Sequence, residues 1–75
     1  MADYRTLFGK RVKALRKSRG LTQAQLAEKL EFSINYISQI ETGEASPTFN
    51  TILKLAQGLA VEPIELFYFS RAKED

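Results

Sequence analysis

Asn35 and Gln39 stand four residues apart in a segment that reads as a short helix. A helix advances about 100° per residue, so both side chains, with Ser38 beside them, fall on the face opposite Ile37 and Ile40. A carboxamide donates and accepts hydrogen bonds at once. That combination matches the paired donor and acceptor that adenine presents in the major groove of a duplex. Isolated amides of this kind are more often ordinary solvated side chains. The reading therefore turns on the elements that hold them.

A second feature is electrostatic. Residues 1–19 carry seven cations, Arg5, Lys10, Arg11, Lys13, Arg16, Lys17 and Arg19, against Asp3, a net of +6. Residues 20–75 carry four cations against eight acids, a net of −4. The overall +2 thus hides a basic first segment. Two readings stay open from position alone, a phosphate-facing patch and a solvated helix face.

The spacing from Thr22 to Gly43 places the amides on the second of two short helices. Thr22-Gln23-Ala24-Gln25 has the pattern in which a hydroxyl caps a helix and the residue three later reaches back. Leu26, Ala27 and Leu30 form one apolar stripe, which stops at Glu31-Phe32. Ser33 caps a fresh helix, and Gly43 suits a left-handed terminus. Two helices joined by a tight turn, the second polar outward, make a helix-turn-helix arrangement.

Around this pair the sequence predicts three more helices and no strand. The first spans about 4–18, with Leu7, Phe8, Val12 and Leu15 inward, and closes at Gly20. The second and third span about 23–30 and 34–42. Thr48 caps a fourth, about 49–58, with Ile52, Leu55, Ala56 and Leu59 as its stripe and Gly58 loosening its end. Pro63 opens a fifth, about 63–69. Residues 70–75 read as a frayed tail.

Seventy-five residues with 44% hydrophobic content support one domain with a thin core, residues 1–75 together. There is no cysteine and no histidine, so disulfides are excluded and a structural metal is not expected. With no clustered carboxylate pair either, the chain is not expected to be an enzyme, and no cofactor or small-molecule ligand is expected. No apolar run reaches the roughly 18 residues of a membrane span, and the charged N-terminus is unlike a signal peptide. A cytoplasmic protein is the expectation.

The chain resembles the phage repressor and Cro-like, Xre-type, helix-turn-helix family of transcriptional regulators. The residues that carry the resemblance are Arg16, Gly20-Leu21-Thr22-Gln23, Leu26-Ala27, Ser33, Tyr36-Ile37-Ser38-Gln39-Ile40-Glu41 and Gly43, then Pro47-Thr48, Thr51 to Ala56, and Leu59. They cover about residues 5–69. The resemblance implies an all-α, compact five-helix, lambda-repressor-like DNA-binding domain. One position departs from the pattern: the turn residue that is usually glycine is Glu31. At positive φ, Glu costs on the order of 1 kcal/mol more than Gly.

The resemblance also implies roles. Base-edge contacts would come from Asn35 and Gln39 first, then Ser38, with Tyr36 and Ile34 as further candidates. Tyr36 could meet a thymine methyl or donate to a phosphate, and Ile34 could meet a methyl or pack against the preceding helix. Gln23 corresponds to a residue that contacts the DNA backbone. Thr22 and Ser33 sit at helix starts, where free N–H groups attract phosphate, a role compatible with simple capping. Arg11, Lys17, Arg19, Thr42, Thr48 and Asn50 are weaker phosphate candidates. Arg16 and Glu41 match a partly buried ion pair that fixes the recognition helix to the scaffold.

Ile64-Glu65-Leu66-Phe67-Tyr68-Phe69 holds more large apolar groups than one short helix can bury. Leu66 and Phe67 can close the core, leaving some of Ile64, Tyr68 and Phe69 outside. Exposed aromatic clusters mark interfaces, whereas a well-filled small core is the plainer alternative. Short members of the family, restriction–modification controllers among them, dimerise through their last helix, so Ile64, Phe67, Tyr68 and Phe69 are the candidate homodimer interface. The leading expectation is a dimeric, sequence-specific regulator that binds double-stranded DNA at a palindrome. The alternative class is an antitoxin or other protein-interaction module.

Overall fold

Four side-chain caps set where the helices begin. Asp3 accepts from the Arg5 N–H at 3.0 Å, Ser33 from Tyr36 at 3.0 Å, and Thr48 from Thr51 at 3.1 Å. At Thr22 the capping is reciprocal: its hydroxyl accepts from the Gln25 N–H at 3.0 Å, while the Gln25 carboxamide oxygen accepts from the Thr22 N–H at 2.9 Å. Each cap is worth about 1 kcal/mol. The elements that follow are α1 (Tyr4–Ser18), α2 (Gln23–Leu30), α3 (Ile34–Thr42) and α4 (Phe49–Leu59), then a 3-10 turn (Pro63–Phe67). The structure, a computed structural model, describes residues 3–69. The expected frayed tail at 70–75 lies outside the described residues. Among the described residues there is no strand, and no helix is long and apolar enough to cross a membrane.

The bounds of the first three helices coincide with the sequence reading. The end of the chain differs. In place of an α-helix over 63–69, a five-residue 3-10 turn stops at Phe67, and Tyr68 is extended. The Glu65 N–H bonds the Glu62 carbonyl at 2.9 Å, and the Glu65 carboxylate accepts from the Glu62 N–H at 3.1 Å. This self-contained i to i+3 ring needs no further turn, and so short a segment does not repay α-helix nucleation.

Helix ends use left-handed residues, only two of which are glycine. Gly20 follows α1 at φ 72° and Gly43 ends α3 at φ 87°. Glu31 ends α2 at φ 62°, ψ 38°, and Ala60 ends α4 at φ 59°. Behind Glu31, the Phe32 N–H closes back on the Ala27 carbonyl at 2.8 Å, which holds the turn shut despite the missing glycine. Glu31 is exposed, and among the described residues no hydrogen bond or ion pair engages its side chain to offset the conformational cost. Replacing Glu31 by Gly is therefore expected to raise stability by about 1 kcal/mol. Chemical denaturation would check this; a lower midpoint would show that the turn is not strained.

The core is one cluster. Phe8, Val12 and Leu15 of α1 meet Leu26, Ala27 and Leu30 of α2, Ile37 and Ile40 of α3, Leu55, Ala56 and Leu59 of α4, and Leu66 of the 3-10 turn. Leu7 and Ile52, expected inward, are only half-buried. Gly58 corrects another expectation. It lies inside α4, which runs on to Leu59, and a Cβ there would stand 2.5 Å from Leu30 Cδ2. Its role is close helix packing, not loosening.

The contact that positions α3 most directly is with α1. At Gly9 the α1 backbone comes so near α3 that a Cβ would run into the carbonyl groups of Ile40 and Glu41. A carbonyl cannot step aside as a flexible side chain can. Gly9 is thus a packing requirement set by the seam between the two helices.

Candidate nucleic-acid interface

Three helices are pinned at one buried node. Arg16 of α1 reaches Glu41 of α3 through Nε at 2.7 Å and Nη2 at 3.1 Å. Its Nη1 donates to the Leu21 carbonyl at 2.7 Å. Gln23, the first residue of α2, donates its amide to the same Glu41 carboxylate at 3.0 Å. The ion-paired side chains are only 8% and 2% exposed. Both carboxylate oxygens are therefore hydrogen-bonded, and the node ties the start of α2 and the end of α3 to α1. A bidentate guanidinium fixes angle as well as distance.

A second link holds α3 from its other side. The Tyr36 hydroxyl lies 3.1 Å from Thr51 Oγ1, which accepts from Thr48 Oγ1 at 3.0 Å. Thr51 is buried, and the Tyr36 ring packs edge-on to Phe32 with centroids 5.1 Å apart. These contacts engage the hydroxyl and much of the ring of Tyr36 inside the fold. Lys54 completes this corner, its ammonium 3.3 Å from the Leu30 carbonyl and 5.0 Å above the Phe32 ring.

Between these anchors the outward face of α3 is open. Asn35 and Thr42 are exposed, Ser38 and Gln39 half-exposed, and Ile34 is 53% exposed. Among the described residues no hydrogen bond occupies the side chains of Asn35, Ser38 or Gln39. The Thr42 hydroxyl bonds only the Gln39 carbonyl in its own helix, at 3.3 Å. This is a rigidly mounted helix with unspent donors and acceptors along one side. Such an element can read base edges.

The helix-turn-helix family model matches residues 12–66. The chain belongs to the helix-turn-helix family. It is 41% identical over 64 residues to the HTH-type transcriptional regulator y4dJ of Sinorhizobium fredii, a match over 85% of this chain and 83% of that protein. It is 34% identical over 69 residues to the control protein C.BamHI of Bacillus amyloliquefaciens, over 91% of this chain and 85% of that protein. Among solved structures, the restriction-modification controller protein C.AhdI from Aeromonas hydrophila superposes with a TM-score of 0.82 at 38% identity. That alignment covers 84% of this chain and 96% of C.AhdI.

Within this helix-turn-helix chain the phosphate candidates divide. Thr22, Ser33 and Thr48 act as caps, and Thr22 and Ser33 sit beside the N–H groups at the starts of α2 and α3. Asn50 is exposed near the start of α4. Lys17 is exposed on α1. Arg11 and Arg19 have internal partners that the sequence did not suggest. Arg11 Nε donates to the Glu65 carbonyl at 2.7 Å, and Arg19 Nε and Nη2 donate to the carbonyls of Leu59 and Ala60 at 2.7 and 3.3 Å. The first fastens the 3-10 turn to α1, and the second neutralises the carbonyl end of α4.

The aromatic surplus near the C-terminus is visible. Leu66 is fully buried, whereas Ile64 is 61% exposed and Tyr68 58%. Phe67, expected to help close the core, is 46% exposed and rests on Phe8 and Phe69, with ring centroids 5.3 and 6.2 Å away. Phe69 is half-buried against Tyr4, centroids 6.1 Å, so Tyr4 joins this surface from the other end of the chain. The sequence reading missed Tyr4 because nothing local links positions 4 and 69.

Proposed function

We propose that the chain is a sequence-specific DNA-binding regulator of transcription, with α2 and α3 as its helix-turn-helix and α3 lying in the major groove. The observation that carries this reading is the open amide face of α3, mounted on the Arg16–Glu41–Gln23 node. Asn35 and Gln39 are the principal base readers, with Ser38 third and Ile34 at the entering end. The starts of α2 and α3 bring Thr22, Gln23 and Ser33 to the phosphates on either side.

The regulator acts as a homodimer on a palindromic operator. The exposed surfaces of Tyr4, Ile64, Phe67 and Tyr68, bordered by Phe69, support a self-complementary patch, since monomers rarely leave such clusters wet. Two recognition helices related by a two-fold axis then sit about 34 Å apart, one turn of DNA. The site of action is the cytoplasm.

Selection of bound sequences from random duplexes tests the reading. The expected product is an inverted repeat whose half-sites are centred about 10 base pairs apart. Enrichment of no sequence would overturn sequence-specific binding. Enrichment of a single unpaired half-site would overturn the symmetric dimer.

A further inference from the structure

The basic residues of α1 separate by type. Arg11 and Arg16 of α1, and the exposed Arg19 just beyond its end, are each bonded within the fold: Arg11 to the 3-10 turn, Arg16 in the buried node, and Arg19 to the end of α4. The lysines are not. Lys10, Lys13 and Lys17 are exposed, and among the described residues no hydrogen bond or ion pair engages them. At spacings of three and four they fall within about 60° of one another on the helix, one continuous stripe. Lys13 is the member of the stripe nearest the edge by which α1 meets α3, since it lies four residues after Gly9 and three before Arg16, and Lys10 and Lys17 stand further round toward solvent.

We propose that Lys10, Lys13 and Lys17 form a phosphate-binding stripe that follows one strand of duplex DNA beside the groove entered by α3. The inference rests on the reading of α3 as the groove-entering helix. The partner is identified by charge spacing. Seven residues of helix at about 1.5 Å each spread the three ammonium stems over roughly 10 Å. One DNA strand rises about 3.4 Å per phosphate along the axis, and because its backbone winds obliquely the phosphates stand further apart than that, so the stripe reaches about two of them. Across the seam, the carboxylate of Glu41 is neutralised by Arg16, so it does not quench the stripe. The residue type fits as well. A lysine is a hydrated point charge on a flexible stem, suited to tracking a backbone and not to reading a base. The stripe supplies affinity and salt dependence and adds nothing to sequence preference. It keeps Lys17 as a phosphate residue, adds Lys10 and Lys13, and releases Arg11 and Arg19 from that role.

The experiment compares the full chain with the variant Lys10→Gln/Lys13→Gln/Lys17→Gln on the selected duplex across a range of salt concentrations. One neutralised phosphate per protomer contributes about −0.9 to the slope of log affinity against log salt, so a dimer doubles it. The Gln variant is expected to have a slope shallower by about 2 or more, with the same base preference and melting temperature. The Lys10→Arg/Lys13→Arg/Lys17→Arg variant is expected to keep the parental slope. A smaller change in the Gln variant overturns the assignment and returns the stripe to solvent or to an acidic protein partner. That result leaves the reading of α3 standing, because base selection by the unmodified chain is scored separately on the same duplexes.

Discussion

Arg16→Ala is expected to lower stability by about 3 kcal/mol, and by more if the surrounding packing does not relax. The cause is what remains behind. Without Arg16, the Glu41 carboxylate stays buried with Gln23 as its one remaining side-chain donor among the described residues, and the Leu21 carbonyl loses its guanidinium partner. A domain of this size has a total stability of only about 4–11 kcal/mol. The loss corresponds to a fall in melting temperature on the order of 15 °C. Glu41→Ala strands the guanidinium instead and is expected to cost a similar amount. The double variant Arg16→Met/Glu41→Leu removes both charges while keeping volume and is expected to recover most of the loss, because a buried pair adds little net stability over well-packed apolar groups. Thermal melts of the free protein, without DNA, make the comparison. An unchanged melting temperature for Arg16→Ala together with a shallower salt slope of DNA binding would place Arg16 on phosphate and not on Glu41.

The same node explains why a stability change here would also alter binding. Gln23 and Glu41 belong to the two helices that approach DNA in the proposed mode, and Arg16 belongs to neither. In that mode a side chain that touches no nucleotide sets the angle at which α3 is presented. Its loss should weaken preferred and random duplexes together, the signature of a misplaced scaffold.

Local features were legible in the sequence because their causes are local. Thr22 with Gln25, Ser33 and Thr48 announce helix starts through bonds that span three residues, and Gly43 announces an end through its own φ. The positive φ at Glu31 was flagged by the family resemblance, in which that turn position is usually glycine. Features made by distant partners were not legible. Gly9 looks like a helix weakener until Ile40 and Glu41 arrive against it, and Gly58 until Leu30 does. Arg11 and Arg19 looked free because their carbonyl partners lie 54 and 40 residues away. The hydroxyl contact of Tyr36 was hidden because its partner, Thr51, lies on the next helix. The last element was misjudged for a different reason. Its apolar content was read correctly, but Leu66 alone turns fully inward, and a 3-10 turn is enough to place it. The open face of α3 was legible from periodicity, since Asn35 and Gln39 lie opposite Ile37 whatever the rest of the chain does. Arg16 with Glu41 came from the family resemblance, because no spacing rule joins positions 25 residues apart.

Asn35→Ala/Gln39→Ala is expected to abolish discrimination between preferred and random duplexes while leaving the protein folded. In the proposed mode each amide makes a two-point contact with a base, and a good contact of that kind discriminates by about 1–3 kcal/mol. Two per half-site, doubled in a dimer, give a loss on the order of 4–12 kcal/mol if the contacts are independent, which exceeds or equals the usual margin of specific over random binding. Binding to random DNA should change little, since phosphates supply it. Stability should also change little, because neither side chain bonds within the described fold. Gln23→Ala makes the contrast: it sits on the node and at the start of α2, so it should weaken both classes of duplex and lower the melting temperature modestly. Titrating the three variants against the selected site and a scrambled duplex of equal length separates these outcomes. Unchanged preference in Asn35→Ala/Gln39→Ala would remove base reading from the outward face of α3. The Ile34 and Ser38 positions at its edge would then be the next residues to test.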